Sequence, residues 1–593
     1  MRISWRTFSG IMPKVSPRNL PETCGQTAQN CWLTETTLEP IHSTSTGSPG
    51  ILGTLVLAGN DAVYGPIADD QYSRIYYTDG TTLHMNYNSG TIVTDVSKSA
   101  PSAPTITKSL LFSPYAINLQ RTYSGGTQVL TYMGYTISGS TLTLRYSTGQ
   151  SDRLLTDITN IYSINYSTGS YTTLPTSDTI ALENDITMNI LDMVLSEDQW
   201  HITVTCSLNC PRSAVQYQYY VQTTVDALGQ ESPPSAISAM VEWNIFEKLT
   251  IAATTGGRLY RSATGAVDSD FFFLAENPGL VYVDSTVDAS LAEKMPLIEN
   301  PPTAMSGLVS MPGGFLAAFN GKDIYFSEPW LPYSWPTRYR LTVDYEVVGL
   351  AVQGNDLIVL TKGNPYYISG SHPEIMTQTK LPINQSCVAK SSIAFAERFV
   401  CYASPDGLVS LSGGMATIIT QDLYTRDQWQ ALQPTTMIGA VHDRRYIGFA
   451  NGGSIIVDFM DGQARLTTTD VTATALFSDL ETDYLYMSDS RIWRGSSTHL
   501  VATWKSKEFQ NVQDAIWNSA KVIATSYTNT VFKIYSAGTL VWTYTVTSDS
   551  AFRVPKLDRS ARWSIQIETQ DVIHEVAVAS CMTLLRTLDG IKQ

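Results

Sequence analysis

GLVSMPGGFLAAFNGKDIYFSEP (307–329) reads as an apolar strand, a turn, a second apolar strand, a Gly/Asp turn and a third apolar strand. The same order of parts returns in VGLAVQGNDLIVLTKGNPYYISG (348–370) and SIAFAERFVCYASPDGLVSLSG (392–413). It returns again in GAVHDRRYIGFANGGSIIVDFM (439–460) and ALFSDLETDYLYMSDSRIWRG (475–495). The starts at 307, 348, 392, 439 and 475 lie 41, 44, 47 and 36 residues apart. A period of about 40–45 residues with three or four short strands per repeat is the mark of propeller blades. One such sheet cannot bury both of its faces, whereas a ring of them can. Two stacked sandwiches over 305–497 are the competing arrangement. The stretch RIYYTDGTTLHMNY (74–87) has the same grammar around Asp79-Gly80, a strong hairpin signal. It supplies a further blade from the N-terminal side, over 51–95, and makes 96–300 an insertion.

The chain is therefore expected to be all-β: a β-propeller with an inserted β-rich, fibronectin-like region and a C-terminal β-sandwich. Residues 97–111, SKSAPSAPTITKSLL, carry the small residues and prolines of a linker. The phrases YSTGQ and YSTGS, starting at Tyr146 and Tyr166, read as strand–turn–strand pieces. ENDITMNILDMVLSEDQ (183–199) is the best helix candidate, with apolar residues at approximately helical spacing. Around 200–245, VQYQYYVQTT (215–224) alternates and is followed by DALGQESPPS (226–235), the look of a fibronectin-type-III end region. In 498–593 the alternating stretches Lys521–Tyr527, Val531–Tyr535, Leu540–Val546 and Trp563–Glu568 indicate the sandwich. Residues 1–50 have five prolines, at 13, 17, 21, 40 and 49, and little apolar periodicity. They read as an extended arm with one short helix near Gln26–Leu33, lacking a core of its own and obliged to lie on something else.

Composition limits the function classes. With 43% hydrophobic and 15% charged residues, global disorder is excluded, and 32 Tyr suit strands more than helices. No run of about eighteen apolar residues exists to form a membrane-spanning helix. The start MRISWRTFSGIMPKVSPRN has no apolar run of the signal-peptide kind, so synthesis and folding in a cytoplasm are expected. Lys+Arg 38 against Asp+Glu 53 gives −15, and the basic clusters are pairs such as Arg444-Arg445 and Lys505/Lys507. A surface gripping DNA by its phosphates needs more. Acidity instead suits a wall past which DNA slides without sticking. The seven Cys are too sparse for a disulfide scaffold. The Cys206/Cys210 pair lacks the partners of a zinc site, so reduced buried thiols and no metal are expected.

A search for catalytic constellations gives no GxSxG, Walker A, HExxH or kinase set. Glycoside hydrolysis needs two carboxyl groups about 5–10 Å apart. Asp344/Glu346 and Asp69/Asp70 are the candidates, with solvated strand carboxylates as the plainer reading. Asp323, Asp406 and Asp443 sit at blade turns, where Asp caps backbone N–H groups, and no EF-hand run accompanies them. Trp330-LPYS-Trp335 is either an aromatic platform for a sugar or peptide, or a loop folded over the blade edge. The expectation is no enzyme, no catalytic residue and no cofactor.

The N-terminal stretch GIMPKVSPRNLPETCGQTAQNCWLTETTLEP (10–40) resembles a signature of short-tailed phage virion proteins: P-x-x-x-P-R-x-L-P, a run of small residues, then L-x-x-x-x-L-x-P. Pro13, Pro17, Arg18, Leu20, Pro21, Gln26, Asn30 and Pro40 occupy its positions, and Gly25 stands where relatives carry Ala. GPIADD (65–70) with RIYYTDG, YVQTTVDALGQESPPS (220–235), RLYRSATG (258–265), MPGGFLAAFNGKDIYFSEPWLPYSWP (311–336), TKGNPYYISGSHP (361–373), INQSCVAKSS (383–392) and YASPDGLV (402–409) agree in order. These blocks run in order from residue 10 to residue 409, and 105–200 is the least covered part. They resemble the tail nozzle, or tail tubular, family of podovirus-type phages. The resemblance implies a structural virion protein with a β-propeller, made in the host cytoplasm and placed in the virion tail. It implies a homohexameric ring docked on a tail adaptor protein, carrying tail fibre or spike proteins, passing double-stranded DNA without specific binding and meeting the host cell surface. The signature residues are then candidates for subunit contacts, with the arm laid across a neighbouring subunit. A receptor-binding or glycan-processing tail protein is the alternative.

Overall fold

Six four-stranded antiparallel sheets follow one another where the repeat places them. In the computed structural model the innermost strands of blades two to six begin at Ser306, Val347, Ala394, Ile438 and Leu476, within two residues of the starts read from the sequence. Blade one is Asp61–Tyr64, Ile75–Thr78, Leu83–Tyr87 and Thr91–Val93, with Asp79 and Gly80 at its central turn. The Asp79 carboxylate accepts from the Thr81 N–H at 2.9 Å and hydroxyl at 2.6 Å, which pulls its pKa down to about 2. Gly80, at φ +93°, makes the turn a side chain would resist. The structure describes residues 2–586 apart from 111–117, 148–162, 172–178, 182–186, 196–200, 210–214, 277–280, 459–463 and breaks of one to three residues.

The blades form a ring. Each innermost strand touches the next, from Asp61–Tyr64 through Ser306–Met311, Val347–Gln353, Ala394–Ala396 and Ile438–His442 to Leu476–Asp479. Helix Gly50–Leu57 touches both the last of these and the first, and so closes the circle. Its buried Gly53 allows that approach, since a Cβ there would sit 2.7 Å from the Phe477 ring. The outermost strand of the sixth blade is Ser45–Thr46, paired with Arg491 and Ile492. The ring is thus locked by the segment that precedes its first blade, and the terminal edge is removed.

The expected arm and its short helix do not form. The segment instead supplies five short strands, between Arg2 and Pro40, to the C-terminal sandwich. Arg2–Trp5 pairs with Val576–Ala579, and Cys24–Gln29 pairs with Thr503–Ser506. Cys31–Leu33 pairs with Leu38–Pro40, which joins Ile573. Two sheets enclose an aromatic core in which Trp5 meets Trp504 and Phe509 edge-on at 6.2 and 5.6 Å, and Phe509 stacks on Trp563 at 4.6 Å. These N-terminal strands are too short and too polar to show a period of two. Their stability comes from partners some 500 positions away. The loop behind the sandwich hairpin is held by Asp571, which accepts from Ser526 at 2.5 Å and from the Thr528 N–H at 2.8 Å.

Residues 97–300 form a second compact unit. The helix expected at 183–199 is instead the strand Thr187–Leu195, antiparallel to His201–Asn209 across a bulge at Leu191. Its β-branched and polar content favours the extended form once a partner strand is supplied. Tyr166 and Gly169 pair as a hairpin, while much of the YSTGQ turn lies outside the described residues. The fibronectin-like part is wider than 200–245. It takes Thr105–Leu110 and strands from Val215 to Asp284, around Ile106, Tyr220, Leu249, Ile251 and Leu259. Within it the Arg261–Asp284 ion pair (2.6 Å) is fully buried, and the Tyr220 hydroxyl donates to the same carboxylate at 2.7 Å.

The SPPSAIS run has a mechanical role. Ser232, Ser235 and Ser238 each donate their N–H to Thr224, Gln222 and Tyr220 carbonyls (2.8, 2.8 and 2.9 Å). Each hydroxyl also accepts the N–H of the same strand residue (3.0, 3.1 and 3.0 Å). A serine every third residue thus covers the edge of strand Tyr220–Thr224, and the prolines keep the covering segment extended.

Two outcomes follow. Ser235→Ala leaves the buried Gln222 N–H without its acceptor, a loss of about 1–3 kcal/mol. Hydrogen exchange across 219–225 in the full chain is expected to quicken by roughly tenfold per 1.4 kcal/mol, and unchanged exchange would remove the ladder's role. Burial alone would raise the Asp571 pKa, but hydrogen bonds from Ser526, Asn529, Thr528 and Thr530 outweigh it and bring it below the usual value. Its stabilisation is therefore full above a pH of about 4 and lost as pH falls through the folded value. Asp571→Asn is expected to flatten that acid limb in melting curves taken from pH 5 to 2.

Candidate functional site

The signature residues come together as a clasp within one chain. At Asn30 the chain leaves one sandwich sheet, through Cys24–Gln29, and enters the other, through Cys31–Leu33. Its φ of +56° makes the corner, a conformation Asn tolerates better than branched residues do. The side chain is 4% exposed; it donates to the Val501 carbonyl at 3.2 Å and accepts from the Thr469 hydroxyl at 2.9 Å and the Asp470 N–H at 3.1 Å. Its main chain donates to Thr468 (2.8 Å) and accepts from Ile41 (2.9 Å). Asn30 thereby ties the sandwich corner to the link between blades five and six.

The other positions act nearby. Gln26 donates to the Ser506 carbonyl at 2.8 Å. The Pro13 carbonyl accepts from Gln428 at 2.8 Å, the residue that completes the Thr425 capping box of helix Arg426–Ala431. The Pro17 carbonyl accepts the Glu508 N–H at 3.0 Å, and the exposed Arg18 pairs with the Glu508 carboxylate at 2.9 Å. The Pro21 carbonyl accepts from Cys24, while Leu20 and Pro40 are buried. Gly25 is explained by its neighbours: a Cβ there would lie 2.8–2.9 Å from the Thr27 and Lys505 carbonyl oxygens and the Trp504 Nε1. The expectation that these residues form subunit contacts is corrected for the buried ones, Leu20, Asn30 and Pro40, because their own chain occupies them. Of the eight, Pro17, Arg18 and Pro21 remain open to solvent.

The chemical candidates are held differently. Asp344 pairs with Lys380 at 2.9 Å and Glu346 with Lys362, and these lysines, with Tyr366 beside Asp344, push both carboxyls below their ordinary range. A general acid requires the opposite shift. Asp70 is forked onto Arg74 at 2.7 and 3.1 Å, and Asp69 lies outside the described residues. Asp323 accepts from Thr342, Asp406 from Gln385, and Asp443 pairs with Arg445. Arg445 also bonds Asp458 at 3.1 Å and lies 4.7 Å over the Trp32 ring. No cluster of three or more His, Cys, Asp or Glu suited to a metal occurs among the described residues. Cys210 and the side chain of Cys206 lie outside them. Cys24, Cys31, Cys387 and Cys401 are buried thiols; burial pushes Cys387 and Cys401 up to about 12. The Trp330–Trp335 loop is divided: Trp335 is buried with its indole N–H on the Pro332 carbonyl, whereas Trp330 is 57% exposed at φ +63° and lies over Gly314.

One contact carries no sequence signal. Asp61, on the innermost strand of blade one, accepts the Gly307 N–H of blade two and the Lys390 ammonium of blade four, each at 2.6 Å. Lys390 passes the blade-three strand, where a Cβ on Gly349 would meet its Cγ at 3.6 Å. The ion pair thus spans three places round the ring.

No protein-family model matches the chain, and no curated protein does. Among solved structures it is similar to the extracellular domain of a hybrid two-component system from B. thetaiotaomicron, at 11% identity and a TM-score of 0.23, over 79% of this chain and 66% of that one. PorZ, a surface component of the type-IX secretion system of Porphyromonas gingivalis, gives 11% and 0.23 over 89% and 82%. An exo-β-1,3-galactanase from Phanerochaete chrysosporium gives 9% and 0.15 over 80% and 100%. Likenesses this slight say nothing about the activity of the chain.

Asn30→Ala places a Cβ residue without a side-chain cap in the left-handed region and leaves buried partners unmet. It is expected to cost about 3–4 kcal/mol, read as an earlier unfolding transition in tryptophan fluorescence. Arg18→Ala removes an exposed pair, for a change under about 1 kcal/mol. Equal effects from the two would contradict the clasp.

Proposed function

We propose that the chain is a structural subunit of a short-tailed phage nozzle, a homohexameric ring at the distal end of the tail through which DNA leaves the virion. The observation that carries this reading is the ordered resemblance from Pro13 to Val409, with blocks in the clasp, in the first four blades and in the part of the inserted unit after residue 220. The fold is compatible with it. A locked propeller and a sandwich stitched at Asn30 make a stiff building block, and the −15 charge suits a wall that repels phosphate. The Asp61–Lys390 pair bridges blades one and four, and a duplex has a major groove alone about 12 Å wide. DNA therefore passes between subunits arranged in a ring, not through a propeller. The ring sits below an adaptor protein and carries fibres or spikes around it. Because the clasp is internal, those contacts fall to other surfaces than the buried signature residues.

A receptor-binding role is the second reading, favoured by Trp330. A large side chain held exposed at positive φ is a strained arrangement of the kind retained at binding surfaces.

Native mass measurement with rotational averaging of particles tests the first reading. A six-fold ring with a central opening is expected. A compact trimer would overturn it in favour of a fibre or spike.

A further inference from the structure

Several edges among the described residues are covered. Ser45–Thr46 closes the sixth blade, the serine ladder covers Tyr220–Thr224, and Phe271–Glu276 is bonded by the Glu293 carbonyl and the Met295 N–H (2.7 and 2.8 Å). The remaining outermost propeller strands are short, from Leu341–Thr342 to the four residues of Thr377–Lys380. Two strands depart from this. Thr131–Ser138 (TYMGYTIS) and Thr539–Val546 (TLVWTYTV), eight residues each, are the longest strands that have, among the described residues, a neighbour on one side only. Neither contains a charge or a proline, the usual guards of an open edge. Each has a bulge near its start, at Met133 and at Val541, that turns those residues aside. The regular runs left are Gly134–Ser138 and Trp542–Val546. Tyr135 and Thr136 are exposed on the first, Thr543 and Thr545 on the second.

We infer that these two edges pair with one another between copies of this chain, the 134–138 run of one subunit adding to the 542–546 run of the next. The occupant follows from charge. In a chain of −15, two copies approach best through surfaces that carry none, and both edges are neutral, rich in Thr and aromatic residues, and of equal length. Main-chain hydrogen bonds supply the attraction, as in other strand additions. Because the two halves of the contact differ, the interface is heterologous, and repeating it round a rotation axis closes a ring. The inference rests on the ring reading and adds the strands that join its subunits.

The test uses the full chain in a Cys581→Ser background. The double variant Thr543→Lys, Thr545→Lys is expected to raise the subunit dissociation constant at least tenfold, while Thr377→Lys on the third blade leaves it unchanged. Mixing Thr136→Cys and Thr543→Cys chains under mild oxidation is expected to give a covalent dimer that neither forms alone. A ring that survives the double lysine variant overturns the strand contact and leaves the ring standing. Thr543→Cys chains that cross-link to themselves also overturn it, in favour of a two-fold contact. A wild-type chain that stays monomeric at every concentration overturns both.

Discussion

Neither the propeller nor the sandwich is complete until residues 2–46 have paired with strands some 450 to 570 positions later. The first part of that segment supplies strands to both sandwich sheets; its end supplies the outer strand of the last blade. Asn30 stands between, with its amide bonded to both bodies at once. A propeller whose ring is left open exposes a sheet edge and the flank of two blades. A sandwich without its first strands exposes the Trp504 and Phe509 rings that Trp5 and Phe8 cover. The same segment answers both needs, so the two bodies gain stability together. The contacts also have very long sequence separation, which makes loop-closure entropy a late and slow part of folding.

This constraint orders the functional argument. In the proposed nozzle role, a framework that cannot open one blade at a time would withstand the passage of a stiff polyelectrolyte. Ion pairs reinforce both bodies: Asp61 with Lys390 across the ring, and Glu575 holding Arg2 and Arg6 at the sandwich start (2.8 and 3.0 Å). In a chain of −15 the neutral strand edges are where the proposed assembly would meet the least repulsion.

The propeller was legible because each blade repeats an apolar rhythm that its own neighbours satisfy, so starts at 348 and 439 fall beside strands at Val347 and Ile438. The Asp79-Gly80 hairpin was legible for the same local reason. The N-terminal strands were not, since CGQTAQ and CWL have no rhythm of their own and are extended only because Trp504 and Leu38 await them. Likewise Thr187–Leu195 offered apolar residues that fit a helix, and its partner His201–Asn209 decided otherwise. For Leu20, Asn30 and Pro40 the expected subunit contact was not legible as an internal one: a buried Asn at a positive-φ corner and a buried proline look the same in sequence whether the partner is the same chain or another. The serine ladder was in plain view in SPPSAIS, with its spacing of three, and only the facing strand gives that spacing a meaning.

Hydrogen exchange of the intact chain, followed by mass spectrometry, tests the central claim most directly. If residues 24–46 close both bodies, their amides will exchange as slowly as those of 502–506 and 573–579, and all will be released in one cooperative opening. Exchange of 24–46 within seconds, while 502–579 stays protected, would mean that the segment is an arm after all, and the account of the fold given above would fail.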